Sequence, residues 1–126
     1  LTEFNTSCTA GFVQEAGIAA LRGGEEEIAS LLSKIQAGYE ITAERLNTFS
    51  RVEFIEPDGA FYCFFRVDGL TDSFAAAGEI LEQTKVGLAP GVAFGPQGEG
   101  YLRLCYAQPA DVLEEAFVRL EPFLSK

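Results

Sequence analysis

An α+β fold, in which a long helix precedes a small, largely antiparallel sheet covered by helices, is what this sequence of 126 residues predicts. Three observations carry that expectation. Apolar residues recur at helical spacing from Ile28 through Leu32, Ile35, Tyr39, Thr42 and Leu46 to Phe49, with Leu31 widening the stripe. Residues 60–67 and 101–106 read with the period of strands and carry apolar bulk on both faces, so both faces are expected to be covered. Turns bearing Gly and Pro separate these runs.

Residues 1–10 are polar and turn-like. Residues 11–22 read as a short helix with Phe12, Val13, Ala16, Ala19 and Ala20 inward, broken by Gly23 and Gly24. Glu25, Glu26 and Glu27 open the long helix, where three acids complement the positive end of the helix dipole. Over residues 25–49 it reaches about 37 Å, longer than a domain of this size needs, so a helix bridging two domains is expected. A short strand over 52–55, a turn over 56–59 and the apolar strand 60–67 follow. Thr71 or Asp72 can cap a helix to about Thr84, with Phe74, Ala77, Ile80 and Leu81 inward. After a brief strand over 86–89 comes a loop rich in Gly and Pro, then the strand from Tyr101. Asp111 and Glu114 make a capping-box-like start to the last helix, whose inner side holds Leu113, Ala116, Phe117, Leu120 and Leu124.

Composition narrows the function classes. Nine basic against 19 acidic residues give a net charge of −10, which argues against nucleic acid and anionic membranes as partners. No apolar run approaches the roughly 20 residues of a spanning helix, and no basic segment followed by an apolar run marks a secretory signal. Cys8, Cys63 and Cys105 are odd in number, widely spaced and match no zinc pattern, which suits a reduced, cytoplasmic setting. The absence of histidine removes Ser-His-Asp and Cys-His catalysis and histidine metal sites from this segment.

Arg103 is the most informative residue. It projects from a strand that otherwise reads as interior, and a guanidinium cannot shed its proton, so burial requires an anion. Glu99, four residues back in the loop, does not fall onto it. A distant acid such as Glu53 or Glu56 supplies the anion, or a ligand does. A bidentate fork for a carboxylate suits the planar guanidinium, and lysine would offer only a point charge.

The stretch 88–107, LAPGVAFGPQGEGYLRLCYA, resembles the C-terminal region of class I/II aminotransferases, which are pyridoxal-phosphate enzymes of the aspartate-aminotransferase fold. Glu56-Pro57-Asp58-Gly59-Ala60-Phe61-Tyr62 resembles the family's turn and strand before it. Asn5-Thr6-Ser7 leading to residues 14–21 resembles the stretch before the interdomain helix. The resemblance implies that Arg103 holds the substrate α-carboxylate, that Gly59 and Phe61 lie near the substrate side chain, and that Phe94 flanks the pocket. It implies that Ser7 approaches the cofactor phosphate of the neighbouring subunit of a homodimer, although Cys8 stands where the family commonly has Asn.

By the same resemblance, residues 1–24 end the large cofactor domain, 25–50 form the connecting helix and 51–126 the C-terminal small domain. The pyridoxal 5'-phosphate lysine would lie upstream, since Lys34, Lys85 and Lys126 all read as surface residues. The implied reaction moves an amino group between an α-amino acid and a 2-oxo acid. The 126-residue chain, which begins at Leu1, is expected to be inactive alone and to be the C-terminal part of a longer enzyme. A free-standing amino-acid or carboxylate-binding module without catalysis is the alternative. A purely structural dimerisation domain is a third reading.

Overall fold

The computed structural model describes residues 4–5 and 7–125, so Thr6 of the Asn5-Thr6-Ser7 stretch and Lys126 lie outside the described residues. The chain divides into two compact units, Leu1–Ser33 and Lys34–Lys126, and the division falls inside a helix. The elements in order are α1 (Gly11–Gly23), α2 (Glu25–Thr48), β1 (Val52–Phe54), β2 (Tyr62–Val67), α3 (Ser73–Thr84), β3 (Ala89–Pro90), β4 (Tyr101–Cys105) and α4 (Ala110–Leu124). Among the described residues no helix is long and apolar enough to cross a membrane.

In the first unit, α1 and the start of α2 form where small residues and the three leading acids favour helix. None of the described residues here is buried. Phe12, Val13, Ala16, Ala19 and Ala20 are all exposed, contrary to the inward face expected of them. So are Ile28, Leu31 and Leu32 of the long stripe. The spacing defines an apolar face, but a helix of 13 residues has too little companion surface in this unit to cover one.

The second unit holds the core. Its sheet has the order β1-β2-β4-β3, every neighbouring pair antiparallel. One face contributes Cys63, Phe65, Val67, Leu102, Leu104 and Tyr106; the helices contribute Leu46, Ala77, Ile80, Leu113, Phe117, Leu120 and Leu124. Burying such a Leu or Phe side chain contributes about 1.5–3 kcal/mol, which makes this cluster the main source of stability. The later half of the α2 stripe, Ile35 to Phe49, does pack on it.

The other sheet face departs from expectation. Tyr62, Phe64, Arg66, Tyr101, Arg103 and Cys105 alternate with the core residues, but no helix of this unit covers them. They are half-buried or exposed.

Local signals account for both ends of α3. Asp72 caps α3 by accepting a hydrogen bond from the Ala75 N–H at 2.9 Å, and Lys85 closes it in a left-handed conformation. Phe74 and Leu81 of this helix face outward instead of inward, while Ser73 and Thr84 take buried places beside Ala77 and Ile80. Helix α4 begins after Pro109 with no side-chain cap. The expected capping box is absent because Glu114 reaches across to accept from Arg45 Nε at 2.8 Å. Of residues 86–89, only Ala89 enters the sheet, joined by Pro90.

Gly38 explains how closely α2 lies on the unit. A Cβ there would stand 2.1 Å from the Tyr106 carbonyl oxygen, so only glycine permits that approach despite its poor helix propensity. One turn later Thr42 is fully buried, and its hydroxyl has no hydrogen-bond partner among the described residues. A buried orphan hydroxyl costs about 1–3 kcal/mol, and valine keeps the branched shape without it. Thr42→Val is therefore expected to stabilise the chain by about 1 kcal/mol in urea unfolding. A loss of stability would mean that the hydroxyl is bonded after all, through water.

Candidate functional site

Arg103 stands in the middle of β4 on the sheet face turned away from the core. Opposite it are Phe64 on β2 and the small Ala89 on β3. It is half-buried rather than buried, because no helix of this unit lies over that face. Its guanidinium carbon lies over two aromatic rings, 4.4 Å from the centroid of Tyr62 and 4.1 Å from that of Phe94. Among the described residues it forms no ion pair and donates no side-chain hydrogen bond.

Four other arginines are differently placed. Arg45 pairs with Glu114, Arg66 with Glu53 at 3.7 Å, and Arg119 with Glu115. Arg51 donates to the Asp68 and Phe123 carbonyls. Among the described residues no acid takes Arg103: Glu53 serves Arg66, and Glu56 stays exposed in its turn.

The loop before β4 places Phe94. It winds as two short 3-10 turns, Gly91–Phe94 and Pro96–Gly98. These lie back to back: a Cβ at Gly91 would stand 2.0 Å from the Gly98 carbonyl oxygen and 2.6 Å from that of Tyr101. The loop is also tied to the start of α3. Glu99 Oε1 accepts from the Ser73 N–H at 2.7 Å and the Gly100 N–H at 3.0 Å, and the Val92 N–H donates to Ser73 Oγ at 3.2 Å. Glu99 thus spends its charge on backbone and, as its place in the loop suggested, does not reach Arg103.

The Gly100 and Ser73 N–H groups hold the Glu99 carboxyl below the ordinary carboxylate range. A depressed folded-state pKa gives stabilisation that is complete above that range and is lost as pH falls through the depressed value. Glu99→Gln is expected to lower the urea midpoint at neutral pH, with the gap to the parent closing as pH falls below the ordinary carboxylate range. A constant gap across that range would mean that the charge contributes nothing.

The remaining sequence-derived candidates scatter around this centre. Phe61 is exposed and packs on Tyr62, with ring centroids 4.5 Å apart, behind the ring that meets Arg103. Gly59 is exposed with nothing within 4 Å of a would-be Cβ; the positive φ of the turn, 65°, falls on Ala60. Ser7 is exposed, with φ 57°. Tyr62, Phe64 and Tyr101 escaped the sequence reading as site residues. Phe64 stacks on Tyr101 at 5.0 Å and meets the edge of Phe94 at 5.9 Å, so one aromatic surface surrounds Arg103. Their signal was the alternation itself, which puts rings at three of the six outward positions.

Neither described lysine offers a desolvated amine for a cofactor aldehyde. Lys34 is exposed, and Lys85 Nζ donates to the Glu82 carbonyl at 2.7 Å. A cleft of about 290 Å³ lies elsewhere, lined by Lys85, Leu88, Cys105, Val112 and Arg119 among others. It excludes Arg103, and its own arginine is already taken by Glu115 and the Thr84 carbonyl. Among the described residues no cluster of Cys, Asp or Glu could hold a metal.

No protein-family model matches the chain. Individual relatives do. The chain is 38% identical over 118 residues to an aspartate aminotransferase of Pyrococcus horikoshii, covering 91% of this chain and 30% of the relative. It is 34% identical over 128 residues to aromatic-amino-acid aminotransferase 2 of Thermococcus litoralis, covering 98% and 32%. The crystal structure of an aromatic aminotransferase from Pyrococcus horikoshii superimposes with a TM-score of 0.88 at 31% identity, over 96% of this chain and 33% of that one. The chain spans about a third of the length of the curated relatives it matches. Sequence and fold together place it in the class I/II aminotransferase family, as the counterpart of a C-terminal region of those enzymes.

Proposed function

We propose that this chain is the carboxylate-binding C-terminal part of a pyridoxal-phosphate-dependent aminotransferase. The whole enzyme would move an amino group between an α-amino acid and a 2-oxo acid, as a cytoplasmic homodimer. Residues 1–24 would end the cofactor domain, 25–50 connect, and 51–126 form the small domain.

The observation that carries this reading is Arg103, a half-buried guanidinium with aromatic neighbours and, among the described residues, no carboxylate partner. A fork of N–H donors with nothing to neutralise it is matched by a planar carboxylate, which accepts two parallel hydrogen bonds. The amino donor and the oxo acid both carry that group, so one clamp serves both halves of the exchange. Phe94 and Phe61 would border the side-chain space, with Gly59 in the turn beside them and Ser7 reaching the partner subunit's phosphate.

Pyridoxal phosphate supplies the electron sink when bound. The described residues do not fit a cradle for it, since they offer no desolvated lysine. This chain's part is to bind and orient the acid. The test is 2-oxo acid formation by the full-length protein across a panel of α-amino acids, before and after Arg103→Ala. Activity that ignores the substitution would remove the clamp, and a full-length protein inert toward every amino acid would remove the enzyme.

A further inference from the structure

We propose that Tyr62 and Phe94 are positioning residues for Arg103, holding its guanidinium against their rings so that its charge and its donors stay available for a ligand carboxylate. This rests on the clamp reading of Arg103 and adds how the clamp is kept open. A half-buried cation has to be held by something. Arg45, Arg66 and Arg119 are held by carboxylates, which occupy N–H donors and cancel charge. Arg51 is held by carbonyl oxygens, which occupy donors as well. Arg103 alone among these five is held by ring faces, at 4.4 and 4.1 Å. A ring attracts the cation through its quadrupole and takes no N–H.

The two rings come from separate elements, which makes the arrangement a built one. Tyr62 opens β2, two register positions from Arg103 on the same face, since it pairs with Cys105. Phe94 is delivered by the loop that Gly91, Gly98, Ser73 and Glu99 fasten. Phe64, the residue directly opposite Arg103, instead stacks on Tyr101 and braces the edge of Phe94. The small Ala89 on the other neighbouring strand leaves the space beside the guanidinium open.

The experiment uses the full-length protein and compares its best amino-acid donor with the corresponding amine that lacks the carboxylate. The ratio of the two kcat/KM values reads the clamp alone. Tyr62→Leu and Phe94→Leu are each expected to lower that ratio about three- to thirtyfold, mainly through KM of the acid. Tyr62→Phe and Phe94→Tyr, which keep a ring, are expected to retain it within about twofold. Methionine at either position gives the same comparison where leucine misfolds. If Arg103→Ala abolishes the discrimination while the leucine variants keep it in full, the positioning role is overturned and the clamp stands. If the parent protein does not discriminate acid from amine, the clamp falls and the positioning role with it.

Discussion

Replacing Arg103 by alanine in the full-length protein is expected to lower kcat/KM for the amino acid and for the 2-oxo acid by about 30- to 1,000-fold. The basis is the loss of a charge-assisted, two-pronged contact, worth about 2–4 kcal/mol, at about 1.4 kcal/mol per tenfold change. The half-buried setting of Arg103 keeps the figure below that of a fully dry pair. Both substrates should lose alike, since they share the carboxylate. Arg103→Lys should recover little, because an ammonium has no planar fork and spreads less charge over the Tyr62 and Phe94 rings. An undiminished kcat/KM in either variant would sink the assignment.

The second large effect lies in backbone alone. Gly91→Ala is expected to destabilise the chain by about 3 kcal/mol in urea unfolding, because the new methyl would meet two carbonyl oxygens, at 2.0 and 2.6 Å, that no rotamer can move. The Gly91–Phe94 turn has to shift to relieve the overlap, so the Phe94 ring leaves Arg103 and acid binding should weaken together with stability. Gly59→Ala is the control: nothing lies within 4 Å of its would-be Cβ, and it should be close to neutral. If Gly91→Ala were as mild as Gly59→Ala, the loop would be looser than its backbone contacts imply.

What the sequence made legible was periodicity that ends in burial. Phe117, Leu120 and Leu124 repeat at helical spacing and meet the core, as do Cys63 and Phe65 at strand spacing. Where an apolar pattern meets no partner within its own unit, as at Phe12 or Leu32, spacing alone could not tell a face that is covered from one that is bare. The same limit affected the sheet: outward rings at Tyr62, Phe64 and Tyr101 looked like a second core face. Arg103 stood out because a charge in an apolar run is costly to bury. Its two ring partners did not, because Phe94 reaches it through a loop whose path depends on contacts between distant glycines. Glu114 shows the reverse failure, a local capping signal overridden by a partner 69 residues away in sequence.

The Cys63 thiol, fully enclosed on the core face of β2 beside Leu104, is pushed up to about 12 by its burial. A thiol with so little thiolate is a poor nucleophile, so alkylating reagents and disulfides reach it only when the sheet opens. Cys8 is exposed and Cys105 only half-covered. The three cysteines therefore form a built-in clock for opening, in which the lag between the first thiol to be modified and the last reports how long the β2–β4 pairing survives.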